Sequence, residues 1–381
     1  MYFFSPTFFI NMKPILISFL AFILCQQISA QEVNYDEANR KTDAFIQKKM
    51  KDLSIPAIAV AVIKSGKIVK KTVYGTANIE WNNKVTPHSA FQIASCTKLL
   101  TSTLLLKSIY NKKIDLYESL GKYLDSIPEA WKKIKIMNLI SHSSGIPEFY
   151  ESNTYLPTKE IVKQIKDKPL IFEPGTKEQY GQSDFMVLSY IFEKIYNKSF
   201  TKILHDEVII PLGMTDGGFD MEYKVDGRFL KTDLIKEKVT TYYDDAGKLV
   251  SYKFLYPQYT YPGGGYFASI NDMANWAIGL DKNTLFPLDF ANELAYNSEK
   301  LGNKTAEFSK VGWALENDGN IFYGGHSGGP GLGDVLRFPK EKITIITLSN
   351  DGELYPQFSR AIASWYIKGL SPKLEIKKFD R

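Results

Sequence analysis

The stretch Phe91-Gln92-Ile93-Ala94-Ser95-Cys96-Thr97-Lys98-Leu99-Leu100 sets a hydroxyl and an amine three residues apart at the head of an apolar run. On a helix, positions i and i+3 share a face, which brings Ser95 and Lys98 within hydrogen-bond reach. A free hydroxyl is a weak nucleophile and must pass its proton to an adjacent base. A lysine serves where its surroundings disfavour the cation. The positive end of a helix dipole does this, and its free N–H groups can face an oxyanion. Spacing alone does not single out this pair, because Ser119…Lys122 and Ser199…Lys202 also read S-x-x-K. The run behind the first pair is a separate observation. From Thr97 to Tyr110, with Leu99, Leu100, Leu104, Leu105, Leu106 and Ile109, the chain is apolar on every side, which predicts a helix at the centre of the molecule.

Working outward, Asp36 to Met50 reads as a surface helix, and Ile58–Ile63, the turn Ser65-Gly66-Lys67 and Ile68–Tyr74 read as a hairpin of a buried antiparallel sheet. From about residue 114 to 253 the pattern is mostly helices and loops: short at Ile136–Ser141, amphipathic at Thr158–Asp167, strongly apolar at Asp184–Tyr196, then Phe200–Ile210. This predicts an inserted helical lobe. Strand character returns at Thr240–Phe254, and Gly263-Gly264-Gly265 breaks the chain before a helix with Ser269 as N-cap and Asp272 as its capping-box partner. The remainder is strand-rich, with strands expected at Val311–Glu316, Ile321–Gly324, Asp334–Phe338 and Ile343–Ser349 and a closing helix at Leu354–Lys368. Strands at both ends with helices between them predict an α+β fold, one antiparallel sheet assembled from both termini.

Length and composition agree with one large domain. The 381 residues allow two or three domains or a single enzyme domain with an inserted lobe. Hydrophobic residues at 44% and charged residues at 23% are globular proportions, not those of a disordered chain. The net charge of +5 is spread along the chain apart from a basic tail, Lys373, Lys377, Lys378 and Arg381, which reads as a solvated terminus; no nucleic-acid partner is expected. At the other end, Lys13, the apolar run Pro14–Cys25 and Ile28-Ser29-Ala30 form an export signal over residues 1–30, with Met12 as an alternative start. The run is too short for a permanent membrane anchor. The expectation is therefore an exported protein, periplasmic or secreted, whose mature domain runs over 31–381. Cys25 offers a lipoprotein alternative, but Leu24 stands where a small residue is usual. Once the signal is removed only Cys96 remains, so no internal disulfide can form, and a small buried hydrophobe is its expected role.

Other chemistries fit poorly. His88, His142, His205 and His326 include no i, i+4 pair and no H-E-x-x-H, so a dedicated metal site is not expected. Gly263-Gly264-Gly265 lacks the ending of a P-loop. Gly325-His326-Ser327-Gly328-Gly329 matches the nucleophile elbow G-x-S-x-G, yet no histidine follows Ser327 and a strand, not a helix, is expected after it. Tyr180-Gly181-Gln182, just ahead of an apolar helix, offers a phenol that could relay a proton if cations lay near it.

Taken together, Ser95-x-x-Lys98, Tyr180-Gly181-Gln182 and His326-Ser327-Gly328 occur in the order of the three motifs of the penicillin-recognising serine hydrolases. From roughly Ile55 to Asn350 the chain resembles the branch that holds class C β-lactamases, serine D-Ala-D-Ala carboxypeptidases, D-aminopeptidases and related esterases. Leu139-Ile140-Ser141-His142-Ser143-Ser144-Gly145-Ile146-Pro147 is similar to that family's L-L-T-H-T-S-G-I/L-P, and Glu173-Pro174-Gly175, Pro211-Leu212-Gly213-Met214 and Gly264-Gly265…Ser269-Ile270-Asn271-Asp272-Met273-Ala274 match further segments in order. The resemblance implies a β-lactamase-like, two-lobed fold in which Ser95 is the nucleophile and Lys98 and Tyr180 share acid–base work. It also implies that Gln182, His326, Ser327 and Gly328 hold substrate and that the N–H groups of Ser95 and Gly329 form the oxyanion hole. No cofactor or metal is implied, and no oligomeric state is specified. Gln182 replaces the family's usual Asn, and His326 stands where class C β-lactamases carry Lys, so the expected activity is that of a D-peptidase, carboxypeptidase or esterase. The expected substrate is a small molecule or peptide, with peptidoglycan-derived ones among the candidates, and β-lactamase or a non-catalytic sensor are the alternatives.

Overall fold

A computed structural model describes Met1 and residues 33–151, 155–254, 256–329 and 332–379; of the signal sequence expected over 1–30, all but Met1 lies outside them. The first helix, α1 (Tyr35–Asp52), is capped by Asn34, whose side chain accepts from Glu37 N at 3.1 Å. The hairpin follows as β1 (Ala57–Lys64) and β2 (Lys67–Asn78). Alternate residues of a strand take opposite faces. In β1, Ala57, Ala59, Ala61 and Ile63 join one buried cluster and Ile58, Val60 and Val62 the other. Such a strand needs apolar layers on both sides, so it belongs in the middle of a sheet.

The sheet is completed by β3 (Asn83–Lys84) and by six strands from the end of the chain: β4 (Ser298–Leu301), β5 (Lys304–Ser309), β6 (Ala314–Asp318), β7 (Ile321–Gly328), β8 (Gly333–Phe338) and β9 (Ile343–Ser349). Their order is β4-β5-β6-β7-β8-β9-β1-β2-β3, and neighbours pair antiparallel. The sheet of both termini thus closes where β1 meets β9, Ile58 opposite Ser349 through Lys64 opposite Ile343.

On one face lie α1 and the C-terminal helix α7 (Phe358–Tyr366), packing Ile46, Phe358 and Ile362 against the Ile58 side of β1. On the other lie α2 (Thr97–Tyr110), with eleven buried residues, and α6 (Ile270–Asp281). Ser269 and Asp272 form the expected capping box, Asp272 N donating to Ser269 Oγ at 3.0 Å. Beyond α2 come α3 (Ile136–Ile140), α4 (Thr158–Ile165), α5 (Ser183–Tyr196) and the short helix Phe200–Leu204, and two polar hairpins, Glu222–Val225 with Phe229–Thr232 and Thr241–Asp245 with Lys248–Tyr252.

Several boundaries differ from expectation. The strand predicted from Val311 starts only at Ala314, because Gly312, at φ +81°, turns the chain there; a Cβ on it would stand 2.6 Å from Ile140 O. The strand predicted to end at Gly324 runs on to Gly328, so His326-Ser327-Gly328 is strand and not loop. The closing helix starts four residues later than Leu354, whose segment instead bridges to Lys378.

Candidate active site

Helix α2 is entered through a 3₁₀ turn, Ala94–Cys96, in which Cys96 N donates to Ile93 O at 3.0 Å. Ala94 takes φ 44°, a left-handed conformation that a residue with a Cβ adopts at a cost of about 1–2 kcal/mol. The turn lifts Ser95 out of the core: Ser95 is partly exposed, while Ala94, Cys96, Thr97 and Lys98 are buried. Strand β7 lies directly against it. A Cβ on Gly328 would come 2.2 Å from Ile93 O and 3.2 Å from the Ala94 methyl, so only glycine lets the strand approach this closely. Cys96 is the packing residue below, its thiol donating to His326 O at 3.2 Å and held well above its ordinary pKa by burial. The nucleophile elbow reading of Ser327 fails on structure as well, since it lies within a strand that turns into β8.

Two groups meet the Ser95 hydroxyl. The Tyr180 hydroxyl donates to Ser95 Oγ at 2.9 Å, and Lys98 Nζ donates to it at 3.4 Å. Lys98 is 0% exposed and is pinned by a second bond, to Gly263 O at 2.9 Å, with its ammonium 4.8 Å from the Tyr180 ring centre and 5.1 Å from that of Phe185. The Gly263 loop is in turn fixed on α2, Thr101 Oγ1 donating to Pro262 O at 2.6 Å. Gln182 closes this side. A Cβ at Gly263 would meet Gln182 Oε1 at 2.0 Å and Lys98 Nζ at 3.1 Å, and Oε1 itself is buried without a hydrogen bond among the described residues.

The other two S-x-x-K pairs are ordinary surface features. Ser119 caps a 3₁₀ turn, accepting from Gly121 N at 3.0 Å, and Lys122 pairs with Glu118 at 3.3 Å. Ser199 precedes Phe200–Leu204, and Lys202 pairs with Asp206 at 2.5 Å.

Around Tyr180 stands a wall of rings, with His142 at 4.6 Å, Phe308 at 5.8 Å and His326 at 6.0 Å between centres. Both imidazoles are held neutral. Burial, and after it the Lys98 cation, lowers His142 well below its usual value and His326 to about 3. His326 Nδ1 lies 2.7 Å from Ser327 O, a partner that can only accept, so Nδ1 carries the proton and Nε2 is a buried acceptor with no hydrogen-bond partner among the described residues. Ser327 follows the strand alternation onto the face of Tyr323, beside Gln357 and Arg360 of the α7 layer, so its hydroxyl is not gathered with the others. Gly329, one residue past the contact of Gly328 with the Ser95 turn, is exposed.

Residues that sequence reasoning missed hold this arrangement together. The Glu148 carboxylate accepts from Gln182 N at 2.9 Å and Ser183 N at 3.2 Å, capping α5. Burial raises its pKa, opposed by these bonds. It occupies the space of an absent side chain, since a Cβ on Gly181 would fall 1.6 Å from Glu148 Oε1. Glu178 accepts from Glu307 N at 2.9 Å and Phe308 N at 3.0 Å, tying the Tyr180 segment to β5. Only an isolated acid in the apolar Gly145–Phe149 stretch signalled Glu148; nothing local signalled Phe308. Among the described residues, no group of three or more His, Cys, Asp or Glu side chains could hold a metal ion, and no helix is long and apolar enough to cross a membrane.

Comparison with known proteins matches this arrangement to a family. A family model, Beta-lactamase, matches residues 42–365. Protein flp of Staphylococcus aureus (strain COL) is 23% identical over 332 residues, 83% of this chain but 64% of that protein, so the chain spans less than two thirds of its length. Among solved structures, the octameric penicillin-binding protein homologue from Pyrococcus abyssi superposes with a TM-score of 0.68 at 24% identity, over 81% of this chain and 73% of that one. D-amino acid amidase from Ochrobactrum anthropi SV3 superposes with a TM-score of 0.69 at 19% identity, over 88% and 95%. At these identities the structural likenesses speak for the fold, and it is the family match across most of the chain that assigns membership. The chain belongs to the Beta-lactamase family.

Proposed function

We propose that the protein is an exported serine hydrolase that cleaves an ester or amide bond of a small molecule or peptide through an acyl-Ser95 intermediate. The observation that carries this reading is the pair of contacts on one hydroxyl, Tyr180 at 2.9 Å and Lys98 at 3.4 Å from Ser95 Oγ. Ser95 Oγ bonds to the substrate carbonyl carbon while its proton passes to the Tyr180–Lys98 pair, which returns a proton to the leaving alcohol or amine. Water then attacks the acyl ester with the same pair as base. The oxyanion is received by the N–H of Ser95 and that of Gly329.

His326 favours some substrate classes over others. A neutral imidazole whose remaining nitrogen is an acceptor gives a substrate carboxylate no cation to bind. This supports an esterase or an amidase of D-amino-acid derivatives over a carboxypeptidase or a β-lactamase, whose substrates carry a free carboxylate. The test is a screen of short-chain p-nitrophenyl esters, D-amino-acid amides, a D-Ala-D-Ala peptide and a chromogenic cephalosporin. Turnover is expected with the esters or amides and to fall at least about a thousandfold in Ser95→Ala. Equal rates for wild type and Ser95→Ala would refute the enzyme reading, and an acyl adduct that forms but is never released would make the protein a sensor.

A further inference from the structure

Away from Ser95, a cavity of about 800 Å³ lies beneath the 217–235 segment, with Phe200, Ile209, Met214, Phe219, Ile235 and Tyr261 among its walls. That volume falls in the range of pockets that enclose small molecules, and the walls named are apolar or aromatic. The titratable groups on its wall are occupied or exposed. Lys202 and His205, with side chains 58% and 52% exposed, share Asp206; Glu193 accepts from Phe200 N at 3.0 Å; Asp233 is exposed. One polar group is different. Tyr266 lines the cavity, is 2% exposed, and its hydroxyl has no hydrogen-bond partner among the described residues. Buried hydroxyls are nearly always paired, so this donor is left for a water or an occupant of the cavity to satisfy.

The space is also open where the chain could have filled it. A Cβ on Gly217 would strike Phe267 O at 2.0 Å, but on Gly218, the next residue, it would meet only Ile235 Cγ1 at 4.0 Å. We propose that this cavity is a second binding site, distinct from the Ser95 cleft, for an uncharged apolar molecule with one carbonyl-type acceptor, which takes the Tyr266 hydroxyl. An occupant would rest on the strand that braces the nucleophile, since Tyr266 O accepts from Ile93 N at 3.0 Å and Tyr266 N donates to Thr97 Oγ1 at 3.3 Å.

Nile red, an uncharged dye with one carbonyl, is a suitable probe, titrated by fluorescence into the Ser95→Ala protein so that acylation plays no part. Saturable one-to-one binding is expected. It should weaken at least about tenfold in Gly218→Leu, which fills the cavity. Ile235→Trp fills the same space from the residue next to Gly218 in space and should do likewise, which covers the case of a Gly218 variant that does not fold. Tyr266→Phe should cost about fivefold, the worth of one neutral hydrogen bond. Lack of saturable binding, or affinity unchanged in a folded filling variant, overturns the site. Equal affinity in Tyr266→Phe overturns the acceptor, and tighter binding of dodecanoate than of the dye overturns the uncharged ligand.

Discussion

His326 shows how burial converts a residue of ambiguous charge into one of fixed charge. Its ordinary value of 6.5 is lowered to about 3, first by burial and then by the Lys98 cation. In the unfolded chain it takes up a proton below about 6.5, whereas in the fold it does not, so the stability it contributes is present above pH 6.5 and is lost progressively as pH falls toward 3. At pH 5 the loss is about 2 kcal/mol, from 1.5 pH units at 1.36 kcal/mol each. Urea unfolding at pH 7.5 and 5 should therefore show a larger acid loss in wild type than in His326→Gln, by about that amount. An equal loss in the two would mean that His326 is solvated and titrates normally. At this scale Ser95, Lys98 and Tyr180 were legible because helical spacing and motif order carry them. Glu148 was not: its task is to fill the space over a glycine 33 positions further on, a relation that exists only once the chain is folded.

Helix α2 was legible to both its limits, since a run apolar on every side has one sensible place and one sensible period. The hairpin β4–β5 was not read, although its strand β5 supplies Phe308 to the Tyr180 wall. Ser-Glu-Lys-Leu-Gly-Asn-Lys-Thr-Ala-Glu-Phe-Ser, 298–309, is an edge hairpin whose strands are mostly exposed or half-buried, and an edge needs no continuous apolar face to announce it. The elongation of β7 past Gly324 was equally hidden, because glycines that usually end strands serve here for close approach. Gly328→Ala isolates that role. Its methyl must push β7 and the Ser95 turn apart, at a cost of about 1–3 kcal/mol in stability. Because the displaced turn carries the nucleophile, acylation should slow about a hundredfold or more, a disproportion seen by comparing melting temperature with acylation rate. A variant as reactive as wild type would show that the contact does not position Ser95.

At the scale of the molecule, the sheet from both termini was expected from strands at the two ends, and the α+β, β-lactamase-like architecture follows. What pattern could not give is the depth at which polar groups are set between the layers. Asp334 of β8 is buried between the sheet and α7, where its carboxylate accepts from Ser359 N at 2.9 Å, and burial raises it from 3.8 to about 8. Folded chains thus hold this proton over a range in which unfolded chains have lost it. The associated stability is full below pH 3.8 and is lost as pH rises toward 8. Asp334→Asn, which keeps the acceptor, should gain on wild type steadily between pH 4 and 8 in urea unfolding. A difference that stays constant with pH would place a charged, compensated carboxylate at 334.

The account rests on Ser95 being the acylated residue. Incubating the protein with a fluorophosphonate, then taking the intact mass and mapping the modified peptide, addresses this directly. A single adduct on Ser95 is predicted, abolished by Ser95→Ala and slowed about a hundredfold or more by Tyr180→Phe or Lys98→Met. No adduct, or one carried by Ser119, Ser199 or Ser327, would contradict it.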